Sequence, residues 1–347
     1  MYVLFLSLQI MLSSNSWKGF PQFSSINVYE VLIVMLTSRA DSTTKAYVRV
    51  NRKFLDWSKS RQFNMQLPFP LSVVSLYLFE LQQSSASSSS VILAHAALKW
   101  LHSFVPSLDR NPLDSEFCRN VIESAKRQKS AQPVMKKKPI STEIIRRILD
   151  IHNKKDANLK NLRIAALCSL DFAGFFRQDE LCNIVPEHIE FHSDYIRMFV
   201  PRSKTDVYRE GNFVYISASG SKYCPVGVLQ RYLDLSGIDL NSPLPLFRPL
   251  VFHRSTSSYT LRSGKISYTT CRDILRDTLS QLGYNPNYYG LHSLRSGGIT
   301  ATVRHSRNSI PERLLKIHGR WKSDSVKDMY VEESLENRLH VTKYLGL

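Results

Sequence analysis

A chain of 347 residues with 43% hydrophobic content has room for two domains with separate cores, and that content excludes a disordered chain. Lys plus Arg number 46 against 29 for Asp plus Glu, and the resulting net charge of +17 favours a polyanionic partner. Cys118, Cys168, Cys182, Cys224 and Cys271 are scattered and form no C-x-x-C pair, which argues against a disulfide framework or zinc site and fits a reducing compartment.

Residues 1–14, MYVLFLSLQIMLSS, resemble a short signal h-region, but no Lys or Arg precedes the apolar run and it is too short to span a bilayer. Residues 1–37 therefore read as an apolar extension of uncertain status, with a buried helix expected over Val28–Leu36. From Ser38 to Ser60 the spacing predicts a helix capped by Thr43 or Thr44, with Tyr47, Val50, Phe54 and Trp57 as its apolar stripe. Arg49, Arg52 and Lys53 decorate its other sides and are candidate DNA contacts. Further helices are expected over Leu71–Gln82, Val91–Val105 and Ser115–Arg127, with the serine run 84–90 as loop and helix start. Together residues 38–127 make a helical domain.

Residues 126–139, KRQKSAQPVMKKKP, carry six Lys or Arg, two Pro and no acid. We read 128–140 as a basic linker that follows a phosphate backbone through Lys136, Lys137 and Lys138, or as a solvated tether. The second domain runs from 141 to 347. It is expected to open with a helix after Ser141, followed by a buried helix over Leu159–Phe176. Arg177 follows with Glu180 three residues on, which is either a structural ion pair or an anchored phosphate ligand. Ile189–Val200 reads as strand, turn and strand, and Phe213–Ser217 as another strand. Arg202 and Lys204 fall in the turn before that last strand. A helix is expected over Pro225–Leu235, then a loop over Pro243–Thr260 anchored by Leu246 and Phe247, then a helix over Thr269–Leu282.

The most informative stretch is 289–331. His292 and Arg295 are three apart and share a helix face. Ser309, Pro311 and Glu312 read as a capping box for a short helix that ends at His318-Gly319, with glycine as its C-terminal cap. Ser323 reads as the cap of a further helix on which Val326 and Tyr330 share a face. An imidazole, a guanidinium and a phenol are the groups needed to attack a phosphate ester without metal.

Arg177 with Glu180, Lys204 in a turn between strands, H-x-x-R at His292 and Arg295, and Trp321 nine residues before Tyr330 together resemble the tyrosine recombinase (phage integrase) family. Each element is weak alone, and the specificity lies in their fixed order on the expected structural types. The resemblance covers about residues 38–345 and departs from the family at the apolar start and the long 243–267 segment. It implies a mainly α fold with a small antiparallel sheet (α+β). The expected architecture is an N-terminal helical core-binding (SAM-like) domain followed by a C-terminal catalytic domain. It also implies that Tyr330 is the nucleophile, that Arg177 and Arg295 clamp the phosphoryl oxygens, and that Lys204 is the general acid. His292 would accept the phenol proton, Trp321 would donate its indole N–H, and Glu180 would orient Arg177. The expected product is a covalent 3′-phosphotyrosine, formed without metal, ATP or other cofactor. Double-stranded DNA and a homotetramer are the implied partners, with no membrane. The location would be nuclear in a eukaryote and otherwise cytoplasmic. Two other readings stay open: a type IB topoisomerase-like relaxing enzyme, and a domesticated DNA-binding protein without catalysis.

Overall fold

The computed structural model describes residues 33–34, 37–84, 87–105, 108–130, 135–203, 206, 210–306, 309–332 and 339. The expected helix over Val28–Leu36 lies almost wholly outside them, as does Lys204. The chain divides into two compact units, Met1–Val134 and Met135–Leu347. No helix among the described residues is long and apolar enough to cross a membrane.

The first unit is built from α1 (Asp41–Ser60), α2 (Leu71–Ser84), α3 (Ser88–His102) and α4 (Glu116–Ser130). Apolar residues on α1 recur at helical spacing, so one face is buried while Arg49, Arg52 and Lys53 stay exposed on the others. Thr43 and Thr44 lie inside α1 and Ala40 takes the cap position, so neither threonine caps the helix. Ser87 caps α3 by accepting from the Ser89 N–H at 3.3 Å. Helix α3 is the central element, packed by the other three. Phe54 is fully buried, with ring centroids 4.9 Å from Phe69 and 5.1 Å from Tyr77.

The second unit is organised on α6 (Leu159–Ala173), which is buried almost all round. It is packed by α5 (Thr142–His152), α8 (Pro225–Ser236) and α10 (His292–Ser306). Asn158 caps α6, and Ser141 caps α5 by accepting from the Ile144 N–H at 3.2 Å. Helix α6 ends at Ala173, three residues short of the expected Phe176, because the chain turns at Gly174 and Phe175. The short α7 (Gln178–Cys182) follows. Strands β1 (Ile189–Phe191), β2 (Tyr195–Val200) and β3 (Asn212–Ser217) form an antiparallel sheet with Ile196 opposite Ile216 and Met198 opposite Val214.

The expected loop over 243–260 is corrected. Leu246 and Phe247 are fully buried, but β4 (Leu250–His253) and β5 (Ser258–Leu261) pair as a hairpin. The alternating Leu250-Val251-Phe252 and Tyr259-Thr260-Leu261 carried that signal, which was masked by the prolines before them. Helix α9 (Tyr268–Gln281) follows, capped by Ser267.

Residues 137–140 are not a free tether. The Lys138 N–H donates to Tyr288 O at 2.7 Å, the Ile140 N–H donates to Ser293 O at 2.8 Å, and Lys137 Nζ donates to Asn287 O at 2.5 Å. Lys136, Lys137 and Lys138 stay exposed along this segment. Gly297 on α10 leaves room for the approach, since a Cβ there would lie 2.1 Å from Ile140 O.

Four expectations in the last stretch are corrected. Helix α11 is Glu312–Gly319, with Pro311 and not Ser309 at its cap. Its left-handed C-cap is Arg320 (φ 55°), while Gly319 is the last helical residue. Glycine is required at 319 for space, because a Cβ there would sit 1.8 Å from the Trp321 ring. Helix α12 is Asp324–Asp328, and Ser323 stands before it without a side-chain cap bond. Tyr330 lies in the turn beyond α12, its N–H donating to Lys327 O at 2.9 Å.

Candidate active site

The site is assembled from three places: the end of α6, the start of α10 and the stretch from α11 to Tyr330. Phe175 leaves α6 in the left-handed region (φ 46°), which costs an aromatic residue on the order of 1–2 kcal/mol. That conformation turns its carbonyl towards two guanidiniums. Arg295 Nη1 donates to Phe175 O, and Arg320 Nη2 donates to it at 2.7 Å. Arg295 Nη2 also donates to Gly319 O at 2.5 Å. Arg295 is fully buried, one turn along α10 from the exposed His292.

The rings of Trp321 and Tyr330 cover Arg295. Its guanidinium carbon is 4.5 Å from the Trp321 centroid and 5.2 Å from that of Tyr330. The two rings are 5.5 Å apart, and with Phe175 and Ile299 they form a small apolar cluster. Tyr330 is half-buried, and its carbonyl accepts from Thr300 Oγ1 at 3.3 Å.

Arg177 follows Phe175-Phe176. Its Nη1 is 2.5 Å from Glu180 Oε1, and its backbone N–H donates to Glu180 Oε2 at 2.9 Å. The ion-pair reading of Arg177 and Glu180 is thus realised. Arg295 Nη1 is 3.8 Å from Glu180 Oε2, and Arg320 Nη2 is 2.8 Å from it. Burial alone would raise the Glu180 pKa. Arg320, the backbone N–H of Arg177, Arg177 itself and Arg295 outweigh burial and hold the carboxyl below its usual range. Burial pulls Arg295 down to about 10, helped by the like charges of Arg177 and Arg320. Asp171 on α6 is fully buried, with no hydrogen-bond partner for either carboxyl oxygen among the described residues, and burial raises it well above the usual carboxylate range. Two buried donors at the rings, Arg295 Nε and Trp321 Nε1, have no acceptor among the described residues, so they suit an oxyanion.

His318 does not face this cluster as a spare ligand. It bonds Ala173 O through Nε2 at 2.8 Å and stands edge-on to Phe175 at 4.6 Å. Arg177, Glu180, Arg295, Trp321 and Tyr330 are brought together, and His292 is exposed one turn before Arg295 on α10. Arg202 is exposed after β2, and Lys204 lies outside the described residues. Arg320 and Phe175 were missed by sequence reasoning. The signal for both was a glycine that serves close packing, which passes the left-handed conformation to the next residue. Among the described residues no group of three or more His, Cys, Asp or Glu could hold a metal ion.

No family model matches the sequence. The chain is 27% identical over 298 residues to an integrase/recombinase xerD homolog of Selenomonas ruminantium, covering 85% of this chain and 83% of that protein. In sequence and fold the chain is similar to tyrosine recombinases. The fold is also that of solved recombinase and integrase structures. The XerH site-specific recombinase, bound to palindromic difH substrate in a post-cleavage complex, aligns with a TM-score of 0.63 at 10% identity, covering 99% of this chain and 94% of that one. The Tn1549 transposon integrase, in complex with transposon right end DNA, aligns at 0.57 and 12% identity, covering 92% and 98%.

Proposed function

We propose that this protein is a site-specific DNA recombinase or integrase that breaks and rejoins strands through a 3′-phosphotyrosine. The observation that carries this reading is the buried Arg295 guanidinium, held under the Trp321 and Tyr330 rings and beside the Arg177–Glu180 pair. A fixed cation next to a half-buried phenol suits a phosphodiester in front of a nucleophile.

In this reading the Tyr330 oxygen attacks phosphorus and the bond from phosphorus to the 5′-oxygen breaks. The attacking phenol gives up its proton, and we assign His292 on α10 as the acceptor. Arg177 and Arg295 neutralise the non-bridging oxygens, and Trp321 Nε1 donates to one of them. Lys204 protonates the leaving 5′-oxygen. A second strand's 5′-hydroxyl then reverses the step, so the bond energy is kept. Glu180 orients Arg177. Double-stranded DNA is the partner, gripped through Arg49, Arg52, Lys53, Lys136, Lys137, Lys138 and Arg202, and a tetramer assembles on it. The bacterial relative favours a cytoplasmic over a nuclear location.

The test uses duplex fragments tiled across the DNA that flanks the gene. The wild-type chain should form a denaturation-resistant adduct with one of them, and Tyr330→Phe should abolish it. An adduct that persists in Tyr330→Phe removes Tyr330 as nucleophile, and binding without any adduct favours the non-catalytic reading.

A further inference from the structure

The two-arginine clamp does not account for a third buried guanidinium. Arg320 is 6% exposed, and its Nη1 donates to Gly174 O at 3.2 Å and His318 O at 2.6 Å. Its Nη2 reaches Phe175 O and Glu180 Oε2, and its guanidinium lies 5.1 Å from the Phe176 centroid. The backbone at 320 is left-handed, so the side chain turns back across the end of α6. It joins the segment that carries Trp321 to residues nearly 150 positions upstream.

Both acceptor sites on Glu180 Oε2 are already allotted. Oε1 takes Arg177 Nη1 at 2.5 Å, while Oε2 takes the Arg177 N–H at 2.9 Å and Arg320 Nη2 at 2.8 Å. Arg295 Nη1 is held at 3.8 Å from Oε2, too far for a hydrogen bond. An unblocked Oε2 would draw Arg295 in by about 1 Å to a charge-assisted bond, and a carboxylate-bound guanidinium has less charge to offer a phosphate.

We propose that Arg320 is a positioning residue that occupies Glu180 Oε2 and so keeps Glu180 from neutralising Arg295. The proposal rests on the strand-transfer reading, in which Arg295 must present its charge to a phosphate. The side chain acts on the carboxylate and not on DNA. Around the site three guanidiniums face one ionised carboxylate, and the surplus positive charge stays with the clamp.

The experiment compares the full-length wild type, Arg320→Met, Glu180→Gln and the double variant. Each is given the flanking-DNA fragment that the wild type cleaves, and adduct formation is timed at saturating DNA. Methionine fills the arginine stem without charge. Arg320→Met should slow the adduct roughly 100-fold, as removing a transition-state donor does, with DNA affinity changed by less than about threefold. The decisive outcome is its combination with Glu180→Gln. With the carboxylate gone, Arg295 is released, and the double variant should be at least about tenfold faster than Arg320→Met. A double variant no faster than Arg320→Met, or an Arg320→Met rate within about twofold of wild type, overturns the proposal.

A wild type that forms no adduct counts against the strand-transfer reading, and a crystal structure of Arg320→Met then decides the geometry. Closure of Arg295 onto Glu180 to about 3 Å supports the proposal, and an unchanged gap overturns it. Should Arg320→Met not fold, Arg320→Lys serves in its place. A lysine that reaches Oε2 should keep the Arg295 gap and a rate within about tenfold of wild type. A closed gap with an undiminished rate would overturn the assignment.

Discussion

Gly297→Ala tests how closely the segment 137–140 and α10 are packed. An alanine Cβ would lie 2.1 Å from Ile140 O and 3.0 Å from its C and N. A carbon–oxygen contact settles near ~3.3 Å, so the backbone at Ile140 must retreat by about 1.2 Å. That retreat stretches the Ile140 N–H bond to Ser293 O from 2.8 Å towards rupture, at about 1 kcal/mol. Overpacking adds about 1–3 kcal/mol, and the better helix propensity of alanine returns about 1 kcal/mol. The net loss is about 1–3 kcal/mol, a drop of roughly 2–12 °C for a unit of this size. Gly227 on α8 is the control, because its Cβ would meet only Cys224 Cβ at 3.9 Å. Gly227→Ala should gain about 0.5–1 kcal/mol. Thermal melting followed by circular dichroism at neutral pH reads both. A Gly297→Ala protein that melts at or above wild type would refute the packing described between Ile140 and α10. Because Arg295 lies two residues before Gly297, the adduct rate should fall with the melting temperature.

Asp171→Asn removes a charge that the fold opposes. The folded protein holds a proton on Asp171 above the pH at which the unfolded chain releases it, so stability from this group falls as pH rises past about 4. The variant should match wild type near pH 4 and melt higher at pH 8, by at least about 1.4 kcal/mol; equal melting at both pH values would count against it. His318 has the opposite sign. Burial lowers its pKa, so its contribution is lost as pH falls below about 6.5, and His318→Gln, which can still donate to Ala173 O, should flatten the melting profile between pH 6.5 and 5. A profile as steep as wild type would refute that. Ser141→Ala deletes the α5 cap and should cost about 1 kcal/mol, or roughly 2–4 °C; no change would mean that the Ser141 bond to Ile144 is dispensable.

Much of the helical pattern could be read from the chain because caps and apolar spacing are local signals. Ser141, Leu98 with Leu101, and the buried run of α6 all behave as their spacing requires. Phe175 and Arg320 could not be read, because their left-handed backbones are set by contacts 120–146 residues apart in sequence. The glycines beside them suggest the wrong residue for the turn: Gly174 and Gly319 give space to Phe176 and Trp321 instead. Tyr330 falls beyond α12 for a similar reason, since Thr300 on α10 fixes its carbonyl. The β4–β5 hairpin was hidden because its short strands are only partly buried and follow a proline-rich loop.

The grip of Arg295 and Arg320 on Phe175 O also sets an order of events during synthesis. Arg177 and Glu180 are made about 150 residues before Tyr330, a delay of roughly 8–30 s at ordinary translation rates. Until α10 and the Trp321 segment emerge, Phe175 has no guanidinium to hold its strained carbonyl. Under the proposed function, a nascent chain whose first unit has folded still lacks Arg295 and Tyr330, so strand breakage would wait for the last part of the site to be made.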